Sequence, residues 1–285
     1  MADYTMKKSE IIIFFHIGKT GGTTLASILR KNTPPESYFH ANVVEHTPSL
    51  LGLQRMEPII EAIKNLSERQ KQAITIASGH VPFGLHQHMP RAAAYITLLR
   101  EPVDRFISSI YYSFTVNKAH RYETLKHLIH SRQVPSDYQT RVVSGLTELD
   151  PDYDPKDTRY YVPVPEKALE SAKRNIQEYF CIAGTIERFD EFLILLKRKL
   201  QLKLTDLLYI RENITRGRPR VSEIPEDVRH IIQENNRLDS ELYSFVEQRF
   251  QNQVQQEGPS FQIELNVFQV LNQLYRNCLP HRKAL

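Results

Sequence analysis

The stretch SEIIIFFHIGKTGGTTLASILRKN, residues 9–32, limits the fold more than any other part of the chain. Ile11 to Phe15 are five consecutive apolar residues, each β-branched or aromatic, the pattern of a strand buried on both faces. Leu25, Ile28 and Leu29 follow at i, i+3 and i+4, a helical stripe. Between the two lie Gly18, Gly21 and Gly22, which permit positive φ and close backbone approach. Free N–H groups and the positive dipole end at the start of the helix favour an anion. Lys19 adds a point charge, and Thr20, Thr23 and Thr24 add hydroxyl donors. The plainer alternative is an ordinary strand–turn–helix whose glycines only make the turn.

Gly18-Lys19-Thr20 ends like a nucleoside triphosphate loop, but G-x-x-x-x-G-K-[ST] needs its first glycine at position 13, which is Ile13. The glycines here follow the lysine instead of preceding it. The triphosphate reading therefore fails on its own spacing.

Downstream, strand and helix patterns alternate. A strand ends at Ser78-Gly79, another in AAAYITLLREP (92–102) ends at Arg100, and helices read in VDRFISSIYYSF (103–114) and ALESAKRNIQEYF. FCIAGTIERF reads as a strand, and DEFLILLKRKL as a helix capped by Asp190. Residues 133–165, rich in Pro, Tyr and Asp, form the longest irregular stretch and a candidate substrate-facing loop. Two helices close the chain. The expected fold is α/β: three layers, with a central, mainly parallel sheet flanked by helices. In such sheets ligands bind at the carboxyl ends of strands, where Gly18–Thr24, Gly79-His80 and Arg100 should converge.

At 285 residues the chain fits one large α/β domain or two small ones, and with 41% hydrophobic and 25% charged residues it can bury a sizeable core. Cys181 and Cys278 are too few for a disulfide framework or a zinc site, and Cys181, in an apolar run, is expected in the core. The longest apolar runs fall far short of a transmembrane span, and the apolar run behind Lys7 and Lys8 is too short for a signal peptide. These features lead to the expectation of a cytoplasmic protein. A net charge of +4 suits an anionic ligand without demanding nucleic acid.

Arg100, Arg105 and Ser108 form R-x-x-x-x-R-x-x-S across a strand end and the next helix, a pattern that could grip a phosphate, or whose arginines could pair with Glu101 and Asp104. His80, at the rim of the expected crevice, is a candidate general base or a structural histidine. His86 and His88 lack a carboxylate or cysteine partner for a metal, and His16 could simply pack in the first turn. A P-loop nucleotide or small-molecule kinase is the rival enzyme, and a module binding anionic polymers through TRGRPR the non-enzyme rival.

At this point HIGKTGGTTL resembles the 5′-phosphosulfate loop of the carbohydrate sulfotransferases related to heparan sulfate 2-O- and 6-O-sulfotransferases, usually H-I-P-K-T-G-G-T-[ST]. LREPVDRFISSIYY resembles their 3′-phosphate motif, and SGHVPFGLH the segment with their catalytic histidine. YQTRVVSG, AGTIERFDEFLILL, ITRGRP and NNRLDSELYSFVEQRF follow in family order, so the resemblance spans about residues 10–250. It implies a P-loop-like fold and an enzyme of EC 2.8.2 type, as a soluble, bacterial-type member, with one sulfotransferase domain over 1–285. Its nucleotide-binding core would cover about 9–250 and a C-terminal helical extension 251–285.

The resemblance further implies 3′-phosphoadenosine 5′-phosphosulfate (PAPS) as co-substrate, adenosine 3′,5′-bisphosphate (PAP) as product, no metal, and a hydroxyl acceptor on a carbohydrate or glycoconjugate. Lys19 would contact the bridging oxygen, and Thr20, Gly21, Gly22, Thr23 and Thr24 the 5′-phosphate. Arg100 and Ser108 would bind the 3′-phosphate, and Arg216, Gly217 and Arg218 would close over the nucleotide. His80 would act as base, and Arg141 would meet the acceptor or be structural. The chain departs from the family at Gly18, where proline is usual. Eukaryotic relatives carry a membrane anchor and work in the Golgi, a property not carried over to this chain.

Overall fold

In the computed structural model, residues 10–41, 56–81, 83–113, 121–131, 134–146, 163–212 and 217–278 are described. The elements run β1 (Ile11–Phe15), α1 (Gly22–Lys31), β2 (Tyr38–His40), α2 (Met56–Lys64), α3 (Glu68–Ala73), β3 (Ile76–Gly79), β4 (Ala93–Leu99) and α4 (Pro102–Ser113). They continue with α5 (Arg121–His130), α6 (Tyr138–Ser144), α7 (Glu166–Tyr179), β5 (Phe180–Thr185), α8 (Phe189–Leu200), α9 (Glu226–Asn235), α10 (Arg237–Gln256) and α11 (Pro259–Cys278).

The strands form one five-stranded sheet in the order β2-β3-β1-β4-β5, and every pairing is parallel. Strand β1 lies at the centre and is buried at all five residues, as its apolar run requires. Its alternation divides the core. Ile11, Ile13 and Phe15 pack with α6, α7 and one face of α10. Ile12 and Phe14 pack with α1, α8 and α11 on the opposite face of the sheet. A third cluster joins α4, α5 and α9. The three-layer α/β expectation holds, and parallel order places the carboxyl ends of β1, β3, β4 and β5 along one edge.

Several local expectations are corrected. The edge strand β2 was not foreseen, because it has only three residues, none of them buried. Helix α6 lies inside the stretch read as irregular: it is seven residues long and starts at Asp137 with φ 44°, so tertiary hydrogen bonds hold it. Residues 147–162, the Tyr/Asp/Pro segment, lie outside the described residues. Asp190 does not cap α8. It sits in the first turn and accepts a hydrogen bond from the Tyr209 hydroxyl at 2.9 Å. Helix α10 runs unbroken through position 251, and Phe261, Leu265 and Phe268 of α11 belong to the core.

Candidate functional site

The turn after β1 is built on two left-handed residues, Lys19 (φ 69°) and Gly21 (φ 79°). Glycine is favoured at 21 chiefly by its left-handed conformation and at 22 by space. A Cβ at Gly21 would lie 2.2 Å from the Ile186 side chain, and one at Gly22 would lie 2.0 Å from the His16 ring. Gly18 has no such need, since a Cβ there meets only the Tyr138 hydroxyl at 3.5 Å. Alternating left- and right-handed backbone at a helix N-terminus turns N–H groups into a concave anion site. The threonines have separate tasks. Thr20 is buried and donates to the Ile17 carbonyl at 2.9 Å, so its hydroxyl braces the turn. Thr24, also buried, accepts the Glu212 N–H at 3.1 Å and pins the chain leading to the basic loop. Thr23 is half-buried in the first turn of α1.

Three cations meet beside this turn. The Arg100 guanidinium donates through Nη1 to the Lys19 carbonyl at 3.0 Å and through Nε to Asp104 at 2.7 Å. Arg218, from the basic loop, pairs with the same carboxylate. Lys19 Nζ rests 3.9 Å from the Tyr112 ring centroid and has no ion-pair partner among the described residues. Burial, and then the nearby Arg100 and Arg218 charges, push the Lys19 pKa down. Burial alone would raise the Asp104 pKa, but its hydrogen bonds to Arg218 and Arg100 hold it below the usual carboxylate range. Two arginines thus share one carboxylate while Lys19 stands close by without one, an imbalance that an incoming anion relieves.

On the other flank, His80 follows β3. Its Nδ1 lies 2.8 Å from the His16 carbonyl, so Nδ1 carries the proton and Nε2 is the basic nitrogen of the neutral ring. The His80 and His16 rings stack with centroids 4.0 Å apart, and His16 stacks in turn on Phe14. Burial lowers the His80 pKa despite the opposing carbonyl hydrogen bond. The His16 pKa is lowered further, by burial and then by His80.

A buried scaffold fixes the arginine flank and the turn. The Gln139 side chain accepts the Arg100 N–H and donates to the Arg100 carbonyl, both at 2.9 Å. Asp239 accepts the Gln139 and Thr140 N–H groups at 3.0 and 2.7 Å, and Asp137 accepts those of Leu238 and Asp239 at 2.7 and 3.1 Å. Helices α6 and α10 therefore cap each other. The Glu101 carboxylate takes the first N–H groups of α4, and Glu187 takes the Glu101 N–H at 3.1 Å. Arg105 stacks on Tyr138 at 4.4 Å, and the Tyr138 hydroxyl is hydrogen-bonded to the Gly18 backbone.

Of the residues read from the sequence, Lys19, Gly21, Gly22, Arg100 and Arg218 come together. Ser108 is buried in α4, and Arg141 is buried on α6. Gly217 forms an open left-handed turn (φ 74°), and Arg216 lies outside the described residues. The Arg100–Asp104 pairing weighed as an alternative is present. Sequence reasoning missed Gln139, Asp239, Glu187 and the role of Tyr138. Only a buried polar group between apolar positions, as in Gln139 before Val142 and Val143, could have signalled them. Among the described residues no group of three or more His, Cys, Asp or Glu is placed to hold a metal ion.

Comparison with known proteins identifies the family. The family model described as Galactose-3-O-sulfotransferase matches residues 5–285. Heparan-sulfate 6-O-sulfotransferase 1 of Cricetulus griseus is 26% identical over 289 residues, covering 88% of this chain and 70% of that protein. Galactose-3-O-sulfotransferase 3 of Mus musculus is 28% identical over 184 residues, covering 61% of this chain and 41% of its own length. Human uronyl 2-sulfotransferase is 25% identical, covering 84% of this chain and 62% of that protein. A crystal structure of mouse sulfotransferase SULT7A1 complexed with PAP matches 84% of this chain and 67% of that one, at 12% identity and a TM-score of 0.37, too slight a likeness to carry weight. These relatives overturn the cytoplasmic expectation: they are sulfotransferases of the kind that work in the Golgi lumen. No helix among the described residues is long and apolar enough to cross a membrane. With the glycine turn, the cation cluster and a family match over nearly its whole length, the chain belongs to the galactose-3-O-sulfotransferase family.

Proposed function

We propose that the chain transfers the sulfuryl group of PAPS to a hydroxyl of a carbohydrate acceptor, in line with departure of the nucleotide. The observation that carries this reading is the pairing of Arg100 and Arg218 on one carboxylate, with the Lys19 charge close to both, beside a left-handed glycine turn. A donor with phosphates at both its 5′ and 3′ ends has an anion for the turn and another for the arginines. Lys19 would neutralise charge on the leaving phosphate. His80, neutral near pH 7 with Nε2 basic, would accept the acceptor proton. Sulfuryl transfer, like phosphoryl transfer, depends chiefly on positioning and charge stabilisation. Lys19, Arg100 and Arg218 would supply the charge, and His80 the proton acceptor.

The test is thermal stabilisation by PAP against AMP and ATP–Mg²⁺ at equal concentration. A ligand near 100 times its Kd adds about 2.7 kcal/mol. A shift with PAP well above that with AMP is expected, followed by transfer from radiolabelled PAPS to a carbohydrate panel. Equal shifts with PAP and AMP would overturn the 3′-phosphate assignment, and a shift with ATP–Mg²⁺ alone would overturn the PAPS reading.

A further inference from the structure

Helix α11 carries two apolar stripes. Phe261, Leu265 and Phe268, continued by buried Asn272, face the core. Ile263, Val267, Val270 and Leu274 are 65%, 46%, 58% and 55% exposed. Each stripe has the spacing 4-3-4, and the two are offset by two residues, about 200° around the helix. A helix apolar on opposite sides needs a partner on each. The outer face is also free of charge. The charged residues of α11 are Glu264, held by Lys197 and Arg198, and Arg276, stacked over Tyr209. Elsewhere the exposed positions of the helix are filled largely by Gln and Asn.

We infer that this face pairs with the same face of a second copy, α11 against α11, antiparallel about a two-fold axis. Spacing of 4-3-4 is the seam of a two-helix coiled coil, and it reads the same in both directions. So does its filling: larger Ile263 and Leu274 at the ends, smaller Val267 and Val270 in the centre. Antiparallel mating sets Ile263 against the partner's Leu274 and Val267 against the partner's Val270, as an isologous contact demands. Depletion of charge at the centre is the mark of an interface core.

The test is mass by light scattering during gel filtration over roughly two decades of concentration. The full chain should run as a dimer, and Val267→Lys/Val270→Lys as a monomer with an unchanged far-ultraviolet circular dichroism spectrum and a melting temperature that no longer rises with concentration, since both sites are exposed. On a Cys278→Ser background, Val267→Cys/Val270→Cys should cross-link on mild oxidation far more than Val267→Cys alone. A monomeric parent at the highest concentration overturns the proposal, even if the parent binds lipid vesicles, and so does a dimer that survives both lysines. Cross-linking by Val267→Cys alone as strong as by the pair overturns the antiparallel register.

Discussion

The two flanks of the glycine turn are built from opposite physics. On the arginine flank, charge is kept charged: Arg100, Arg218 and Lys19 lie within reach of one another, and Asp104 remains ionised between them. On the histidine flank, charge is removed: stacking and burial keep His16 and His80 neutral. The distance along the sheet is one strand to either side of β1. A group transfer needs both settings at once, one to hold anions and stabilise a leaving group, the other to accept a proton near neutral pH. The parallel sheet provides them by ending β3 and β4 on either side of the same turn.

The largest break in this contrast should come from His80. His80→Ala is expected to lower kcat by about 10²–10⁴-fold with PAP affinity little changed. Because burial depresses the His80 pKa from 6.5, the acid limb of kcat in the parent should fall below that value. Steady-state rates across pH check both. An unchanged kcat, or an acid limb centred above 6.5, removes His80 as the base. On the opposite flank, Lys19→Ala should cost about 10²–10³-fold in kcat, the scale of one preorganised contact to developing charge. Its left-handed backbone makes Lys19→Asn a useful second variant, since asparagine tolerates positive φ. Full activity in either would show that the cation cluster serves binding alone.

A smaller effect sharpens the contrast without touching its charges. Arg100→Ala should weaken PAP binding by about 1.5–3 kcal/mol, the worth of hydrogen bonds to a charged group. Gln139→Ala keeps the guanidinium but leaves the Arg100 N–H and carbonyl without their amide partner, and about tenfold weaker PAP binding is expected. Titration calorimetry with PAP and AMP separates the cases. If Gln139 positions Arg100, the loss falls on PAP more than on AMP; equal losses would mean general loosening of the fold.

The sequence carried the strand, turn and helix of the site in plain view, because glycines with steric reasons leave a local signature, and Gly21 and Gly22 have such reasons here. Lys19, Arg100 and His80 were legible from their places at strand ends. Gln139 and Asp239 were not. They lie 100 residues apart, meet through one carboxylate and two N–H groups, and belong to helices that cap each other only once packed. The same holds for Ile186, whose side chain packs against Gly21 from a distant strand end. Local pattern reveals the turn and the residues at strand ends, and long-range burial decides what holds them still.

The smallest expected effect tests that hidden scaffold. Asp137 accepts two N–H bonds at the start of α10, yet burial and the nearby Asp239 raise its pKa to about 7. In the unfolded chain it titrates as an ordinary aspartate near 3.8. Between those values the folded state holds more protons than the unfolded state, so stability falls as pH rises. The contribution is fully present below about pH 4 and is lost by the time pH passes 7. Asp137→Asn keeps an oxygen that can accept the same two bonds and carries no charge beside Asp239. It should therefore match or exceed the parent at pH 8, by about 1 kcal/mol, and the gain should vanish near pH 5, where the parent carboxyl is already protonated. Denaturant unfolding at the two pH values decides it. A variant less stable at pH 8 would mean that the carboxylate form itself caps α10, and that the cationic flank rests on an ionised pair of aspartates.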